Sequence, residues 1–343
     1  MDAADQYFQS LPKVELHVHL DCSLSYEVVK RINPQITQQY YTQNFIGPPM
    51  CHNLNDYLAR AEYALQLMQE PHHLQWAVED LYKQFKNENV IYAEIRFSPL
   101  LHTRKKMTPE EVVDTVLEAS ERSKAETGIE GGVIICTLRH YNREQSDLTA
   151  RLACQHFGKG VVGFDIASDE AGYPLDAHIQ AFEIVQNFGI PCTAHAGEAR
   201  GVESVWETLY KLQPSRLGHG VRSAEDQVLL DHLKEKDIHL EICPTSNIQT
   251  RAIETMEVHP VAKMFQQGIS LSINTDARTI SNTSCTEEYK KLHKEFNWGF
   301  NEIFKCNMEA IDHAFTSIEI KTRIKNKLKQ AYSDKNNLWD TST

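Results

Sequence analysis

A chain of 343 residues with 41% hydrophobic and 24% charged content can bury a large core and lies outside the disordered and fibrous classes. Its 35 basic and 47 acidic residues leave a formal net charge of −12, which repels a phosphate backbone and disfavours nucleic-acid binding as the main task. No run of eighteen apolar residues occurs, and the opening MDAADQYFQSLPK lacks the basic and apolar regions of a signal peptide, so a cytoplasmic protein with no membrane partner is expected.

Taken in order, the first apolar run, Val14 to Leu20, reads as a strand and contains His17 and His19. Strand side chains repeat with period two, so both imidazoles leave the same face. Two neutral imidazoles side by side form half of a zinc site, although a His-x-His also arises by chance among buried, backbone-satisfied histidines. A helix is expected from about Ser25 to Ile32. The polar segment 33–53 follows, with Gly47-Pro48-Pro49 unable to continue a helix, and it is long enough to be an excursion over a site. Leu54, Tyr57, Leu58 and Ala61 recur at helical spacing, and a second helical pattern runs from His73 to Phe85.

A regular alternation then sets in. Val90 to Phe97 reads as a strand, and Thr108-Pro109-Glu110-Glu111 opens a helix with a capping box and a proline in its first turn. Further strands are expected at Gly132 to Leu138, Val161 to Ala167, Pro191 to His195, Arg216 to Val221, Ile238 to Cys243 and Ile269 to Thr275, each pair separated by a helical stretch. Eight apolar strands alternating with helices belong to a parallel sheet, and this length predicts an α/β fold, a (β/α)8 TIM-type barrel with additional helices after Thr286. A doubly wound open sheet is the runner-up. No linker divides the chain, so residues 1–343 are expected to form one domain. The eight cysteines stand singly, without a Cys-x-x-Cys pair, and read as reduced, buried thiols. The basic run Lys321 to Lys329 reads as a solvated helix face.

In a parallel barrel the groups that act on substrate sit where strands end. His17, His19 and Asp21 stand at the end of the first strand, His195 and Glu198 after the fifth, His219 after the sixth and Asp276 after the eighth. Each has an ordinary structural role open to it: a carboxylate can cap the next helix, and His219 between two glycines can fill a turn. Together, three imidazoles and one carboxylate, His17, His19, His195 and Asp276, suit one zinc ion per chain with a water in the open position. Zinc brings the pKa of such a water toward ~7. Glu198 is then placed to trade protons without binding metal, with His219 as a second proton-transfer or orienting group.

The phrases PKVELHVHLD, VVGFDIASDE, TAHAGE, RLGHGVR, LEICPTSN and INTD, in this order, resemble the adenosine deaminase family of the amidohydrolase superfamily. The resemblance covers the chain from about Leu11 to the final helices. It implies zinc-dependent hydrolytic deamination of adenosine and 2′-deoxyadenosine, a small-molecule purine nucleoside being the partner. Glu198 would protonate purine N1, a water activated at the metal and oriented by His219 and Asp276 would add to C6, and ammonia would leave. It also implies that His19 and Asp21 lie against the substrate, Asp21 at the ribose, that a backbone N–H near Ser168 meets purine N3, and that the Leu54, Tyr57, Leu58, Ala61 stripe gates the pocket.

Three positions depart from the family pattern. A second aspartate, which would meet purine N7, commonly follows the metal-binding one; here the run is Asp276-Ala277-Arg278, so Arg278 or another group compensates or the base is held differently. Cys22 and Ser168 stand where glycines are usual; Cys22 is a conceivable fifth ligand but more simply a loop thiol. The alternatives are the same chemistry on adenine, an N6-substituted AMP or aminodeoxyfutalosine, and, more distantly, a metal-dependent phosphoesterase or a barrel retained for binding. Asp21 favours a ribosyl substrate, since its carboxylate would otherwise lack a partner, and a nucleotide is disfavoured because no Gly-rich or basic loop offers itself to phosphate.

Overall fold

The computed structural model describes residues 3–339. Eight strands alternate with helices: β1 Lys13–His19, β2 Val90–Phe97, β3 Glu130–Leu138, β4 Val161–Ala167, β5 Thr193–Ala196, β6 Arg216–His219, β7 His239–Ile242 and β8 Leu271–Ile273. Every pairing is parallel, in two four-stranded halves, β1-β2-β3-β4 and β5-β6-β7-β8. Single bridges, Phe164 to Cys192 and Val18 to Asp276, join the halves and close the barrel. The eight-stranded α/β barrel expected from the alternation is thereby present, and the open-sheet runner-up is excluded.

Strands β2 and β4 coincide with the runs that predicted them, while the last four are shorter. β6 stops at His219 because His219 and Gly220 both turn into the left-handed region, at φ 61° and 65°. The helix Pro109–Thr127 opens as its sequence requires: Thr108 accepts from the Glu111 amide, the Glu111 carboxylate accepts from the Thr108 amide, and Pro109 occupies the first turn.

Two stretches differ from expectation. The segment 33–53 contains a short helix, Gln38–Asn44, capped by Thr37, and then a strap stitched across the C-terminal ends of the strands. The Gly47 amide donates to the Ile280 carbonyl at 2.7 Å, and the Cys51 amide to that of Gln249 at 2.9 Å. The gate stripe is not one helix but two, Leu54–Leu58 and Ala61–Leu67. The first ends where the Arg60 amide folds back on the Tyr57 carbonyl, three residues behind.

Apolar helix faces cover the outside of the barrel, but its interior is charged. Arg96 on β2 ion-pairs with Asp165 on β4 and Glu241 on β7; Arg216 on β6 ion-pairs with Glu241 and with Glu94 on β2. Arg216 and Glu241 stand on the neighbouring strands β6 and β7, but the other three pairs join strands that are not neighbours and so span the lumen. Among the described residues all eight cysteines are free, seven of them buried, and no helix is long and apolar enough to cross a membrane. In the last helix, Ile318–Trp339, Ile324 and Leu328 are buried while Arg323, Lys327 and Lys329 face solvent, which makes the basic run the solvated face it was expected to be.

Candidate active site

His17 and His19 leave β1 on the lumen side, and His195 on β5 and Asp276 after β8 meet them there. One ligand atom from each of the four residues lies within 4.8 Å of all the others. His19 Nε2 stands 3.2 Å from His195 Nε2 and 3.3 Å from Asp276 Oδ1. Gly218 on β6 makes the room: a Cβ there would meet His17 Cε1 at 2.9 Å and the His195 ring at 3.1 Å. Buried His17 Nε2 has no hydrogen-bond partner. A fully buried imidazole nitrogen left bare, aimed at two more imidazoles and a carboxylate, is chemistry that a divalent cation satisfies, so the donor set fits zinc.

The ring nitrogens turned away from the cluster are held. His17 Nδ1 lies 2.8 Å from Glu241 Oε2, and His195 Nδ1 lies 3.1 Å from Asp165 Oδ2. Each carboxylate accepts a hydrogen bond from Nδ1–H, the tautomer that leaves the Nε2 lone pair facing its neighbours. Arg96 locks both carboxylates, donating to Asp165 at 2.8 Å and to Glu241 at 2.7 Å. Asp276 is steadied by the Ser246 hydroxyl at 2.7 Å.

Glu198 follows β5 on a turn at Gly197 and is 5% exposed. Burial pushes its carboxyl well above the usual range, and the negative charges of Asp276 and Glu170 push the same way, which favours the protonated form. Its Oε2 lies 3.6 Å from His219 Nε2. Burial depresses the His219 imidazole well below its ordinary value and keeps it neutral, with Nδ1 3.0 Å from the Asn247 side-chain amide. Glu198, His219 and Asp276 converge as closely as the four-residue group does. A proton donor, a neutral imidazole and a cation site therefore share one buried pocket, an arrangement suited to adding water across a polarised C=N bond.

Ser168 ends β4 at φ 83°, with its hydroxyl 3.4 Å from His140 Nδ1. Asp21 corrects an expectation: its carboxylate does not lack a partner, because Oδ1 lies 2.6 Å from His102 Nε2 and Oδ2 accepts the Ser98 amide at 3.2 Å. The possibility that Arg278 replaces the second aspartate is also corrected. Its guanidinium turns away to Glu88, and its Nε donates to Gln84 at 3.1 Å. Ala277 instead joins Cys22, Cys51, Leu54, Tyr57 and Ile280 in a small apolar cluster. Cys22 belongs to none of the converging donor groups, so it is the loop thiol of the simpler view.

Sequence reasoning assigned no role to Asp165, Glu241, Arg96, His102 or Glu170. A signal was present for the first three: each is a charged residue inside an otherwise apolar strand, in phase with the lumen face. His102 and Glu170, on loops, carried no such mark.

A family model described as Adenosine deaminase matches residues 12–331. A protein called adenosine deaminase from Clostridium acetobutylicum is 33% identical over 326 residues, covering 93% of this chain and 97% of that one. Among solved structures, an adenine deaminase from Arthrobacter aurescens superposes with a TM-score of 0.85 at 21% identity, over 93% of this chain and 98% of that one. An amidohydrolase from Burkholderia ambifaria with bound Zn gives 0.88 at 18% identity, over 100% and 96%.

Proposed function

Because the chain belongs to the adenosine deaminase family of hydrolytic aminohydrolases, we propose that it converts adenosine and 2′-deoxyadenosine to inosine and 2′-deoxyinosine with release of ammonia, and that His17, His19, His195 and Asp276 hold one zinc ion. The observation that carries this reading is the joint convergence of a four-donor cation site and Glu198, whose carboxyl burial shifts toward its protonated form, on one buried pocket.

Zinc bound there would supply a Lewis acid that makes water nucleophilic at neutral pH. The remaining work falls to the side chains. Glu198, its protonated form favoured by burial, donates to ring N1 and makes C6 electrophilic. His219, neutral and held at Nδ1 by Asn247, presents Nε2 to the pocket, where with Asp276 it orients the attacking water and passes its proton toward the leaving amine. Asp21 meets the ribose, and a backbone N–H beside Ser168 meets N3. The cluster around Ala277, with Leu54 and Tyr57, walls the pocket and excludes bulk water, which strengthens the charge interactions inside.

A nucleoside is favoured over its monophosphate by the commitment of nearby cations: Arg96 to Asp165 and Glu241, Arg278 to Glu88. One observation supports a second reading, the same chemistry on free adenine or another 6-aminopurine. Asp21 already has His102 and Ser98 as partners and does not require a sugar hydroxyl for its satisfaction. A screen of zinc-loaded protein for released amine, ammonia from adenosine, 2′-deoxyadenosine, adenine and aminodeoxyfutalosine and methylamine from N6-methyl-AMP, tests both. The nucleosides should give the highest kcat/KM; preference for the free base transfers support to the second reading, and no release from any of the five rejects both.

A further inference from the structure

The end of β5 and the turn that follows it have two tasks three residues apart: the strand carries His195 into the cation site and the turn carries Glu198 into the proton-donating position. We propose that Glu170 and Arg139 are positioning residues that clamp this loop from opposite sides and so fix the aim of Glu198. The proposal rests on Glu198 being the proton donor.

Glu170 comes from the loop after β4 and is 1% exposed. Its Oε1 accepts the Gly197 amide at 2.7 Å and the Ser204 hydroxyl at 2.5 Å. Its Oε2 accepts the amides of Glu198 at 2.9 Å, Ala199 at 2.6 Å and Arg200 at 3.1 Å. Four consecutive backbone N–H groups thus point at one carboxylate, just ahead of the helix Val202–Leu212. They can do so because Gly197 turns the chain at φ 68°, where a Cβ would meet Val205 Cγ2 at 2.7 Å. On the other side, Arg139 at the end of β3 donates from Nη2 to the His195 carbonyl at 2.9 Å. Its own amide is tied to the Ala167 carbonyl at 2.9 Å, so the clamp is anchored in β4.

The anion therefore binds the N–H side of the loop and the cation its carbonyl side. Arg139 meets the cation cluster only at the His195 backbone carbonyl, not at a ligand side chain. An ionised carboxylate is the one side chain able to accept all five of these hydrogen bonds; an amide offers a single oxygen, and its NH2 would face backbone donors. Freed from the clamp, the loop loses the aim of Glu198, and a displacement of about 1 Å at a proton donor costs on the order of 10²-fold in rate.

The test uses zinc-loaded full-length protein carrying Glu170→Gln, Glu198→Gln or both, with kcat and KM for adenosine, zinc per chain and amide hydrogen exchange over residues 197–204. Glu170→Gln is expected to lower kcat about 10²-fold with KM changed less than about threefold and zinc stoichiometry retained. Exchange over 197–204 should accelerate, and the double variant should be no slower than Glu198→Gln alone. Near-normal kcat with unchanged exchange, or slowing that multiplies in the double variant, overturns the proposal. Near-normal turnover of Glu198→Gln would instead strike the proton-donor reading, while faster exchange in Glu170→Gln would still report the clamp. Should Glu170→Gln not fold, Arg139→Met carries the same test, with a fall in kcat at constant zinc and the same non-additivity expected, and no fall counting against it.

Discussion

The Asp276 amide donates to the His17 carbonyl at 2.9 Å, so the carboxylate of the cation site and its first histidine are joined through the backbone as well as across the pocket. The His19 amide returns the bond to the Asp276 carbonyl at 2.8 Å. This exchange is the seam between β8 and β1 that closes the barrel, so the proposed cation site is built on the residues that close it.

Chelation should consequently loosen the seam. Zinc present at about 1,000 times its Kd adds about 4 kcal/mol to the folded state. Thermal melting with and without chelator is expected to show a clear fall in Tm, and hydrogen exchange should quicken in β1 and after β8. Identical melting curves would mean that no metal spans the seam.

Glu198→Gln is expected to leave zinc bound and to lower turnover by about 10²-fold or more, since it removes a proton donor without removing a ligand. Metal analysis beside steady-state kinetics checks both halves; normal turnover would refute the role.

The pH profile has a defined sign. Burial, then Asp276 and Glu170, raise the Glu198 carboxyl well above the usual range, and the group works as an acid. Activity dependent on it is therefore present below the raised pKa and declines as pH rises through it. This alkaline limb should vanish from the residual activity of Glu198→Gln; its persistence would assign the limb to another group.

Asp165→Asn should weaken zinc binding by about 10–100-fold, because the carboxylate orients His195 and fixes its tautomer. It also leaves Arg96 short of a buried partner, a change that costs about 3–5 kcal/mol. Competition with a chelating dye and denaturant unfolding measure the two effects. Unchanged zinc affinity would show that Arg96 alone holds the site together.

With Ala277 in an apolar cluster and Arg278 committed to Glu88, neither residue offers a hydrogen-bond donor to purine N7, itself an acceptor, at the position of the family's second aspartate. 7-Deazaadenosine should then be deaminated almost as well as adenosine. A large penalty for the 7-deaza analogue would reveal a contact to N7 from elsewhere.

The sequence by itself determined the strands, the barrel and the set of converging residues. Strand periodicity places His17 and His19 on one face whatever they later meet, and strand ends are where a parallel barrel exposes polar groups. The capping box at Thr108 is likewise written within four residues. Only the tertiary structure decided what those residues lean on. Arg96 joins Asp165 and Glu241 across the lumen, His102 reaches Asp21 from 81 positions away, and Glu170 gathers amides about 30 positions further along. Such partners are chosen by which interior faces meet when the barrel closes, and by the need of every buried charge for a counter-charge or hydrogen bond. Short-range periodicity marks Arg96, Asp165 and Glu241 as charges on an interior face but carries no record of which of them meet, so the donors could be read from the chain while the pairing of the groups that aim them could not.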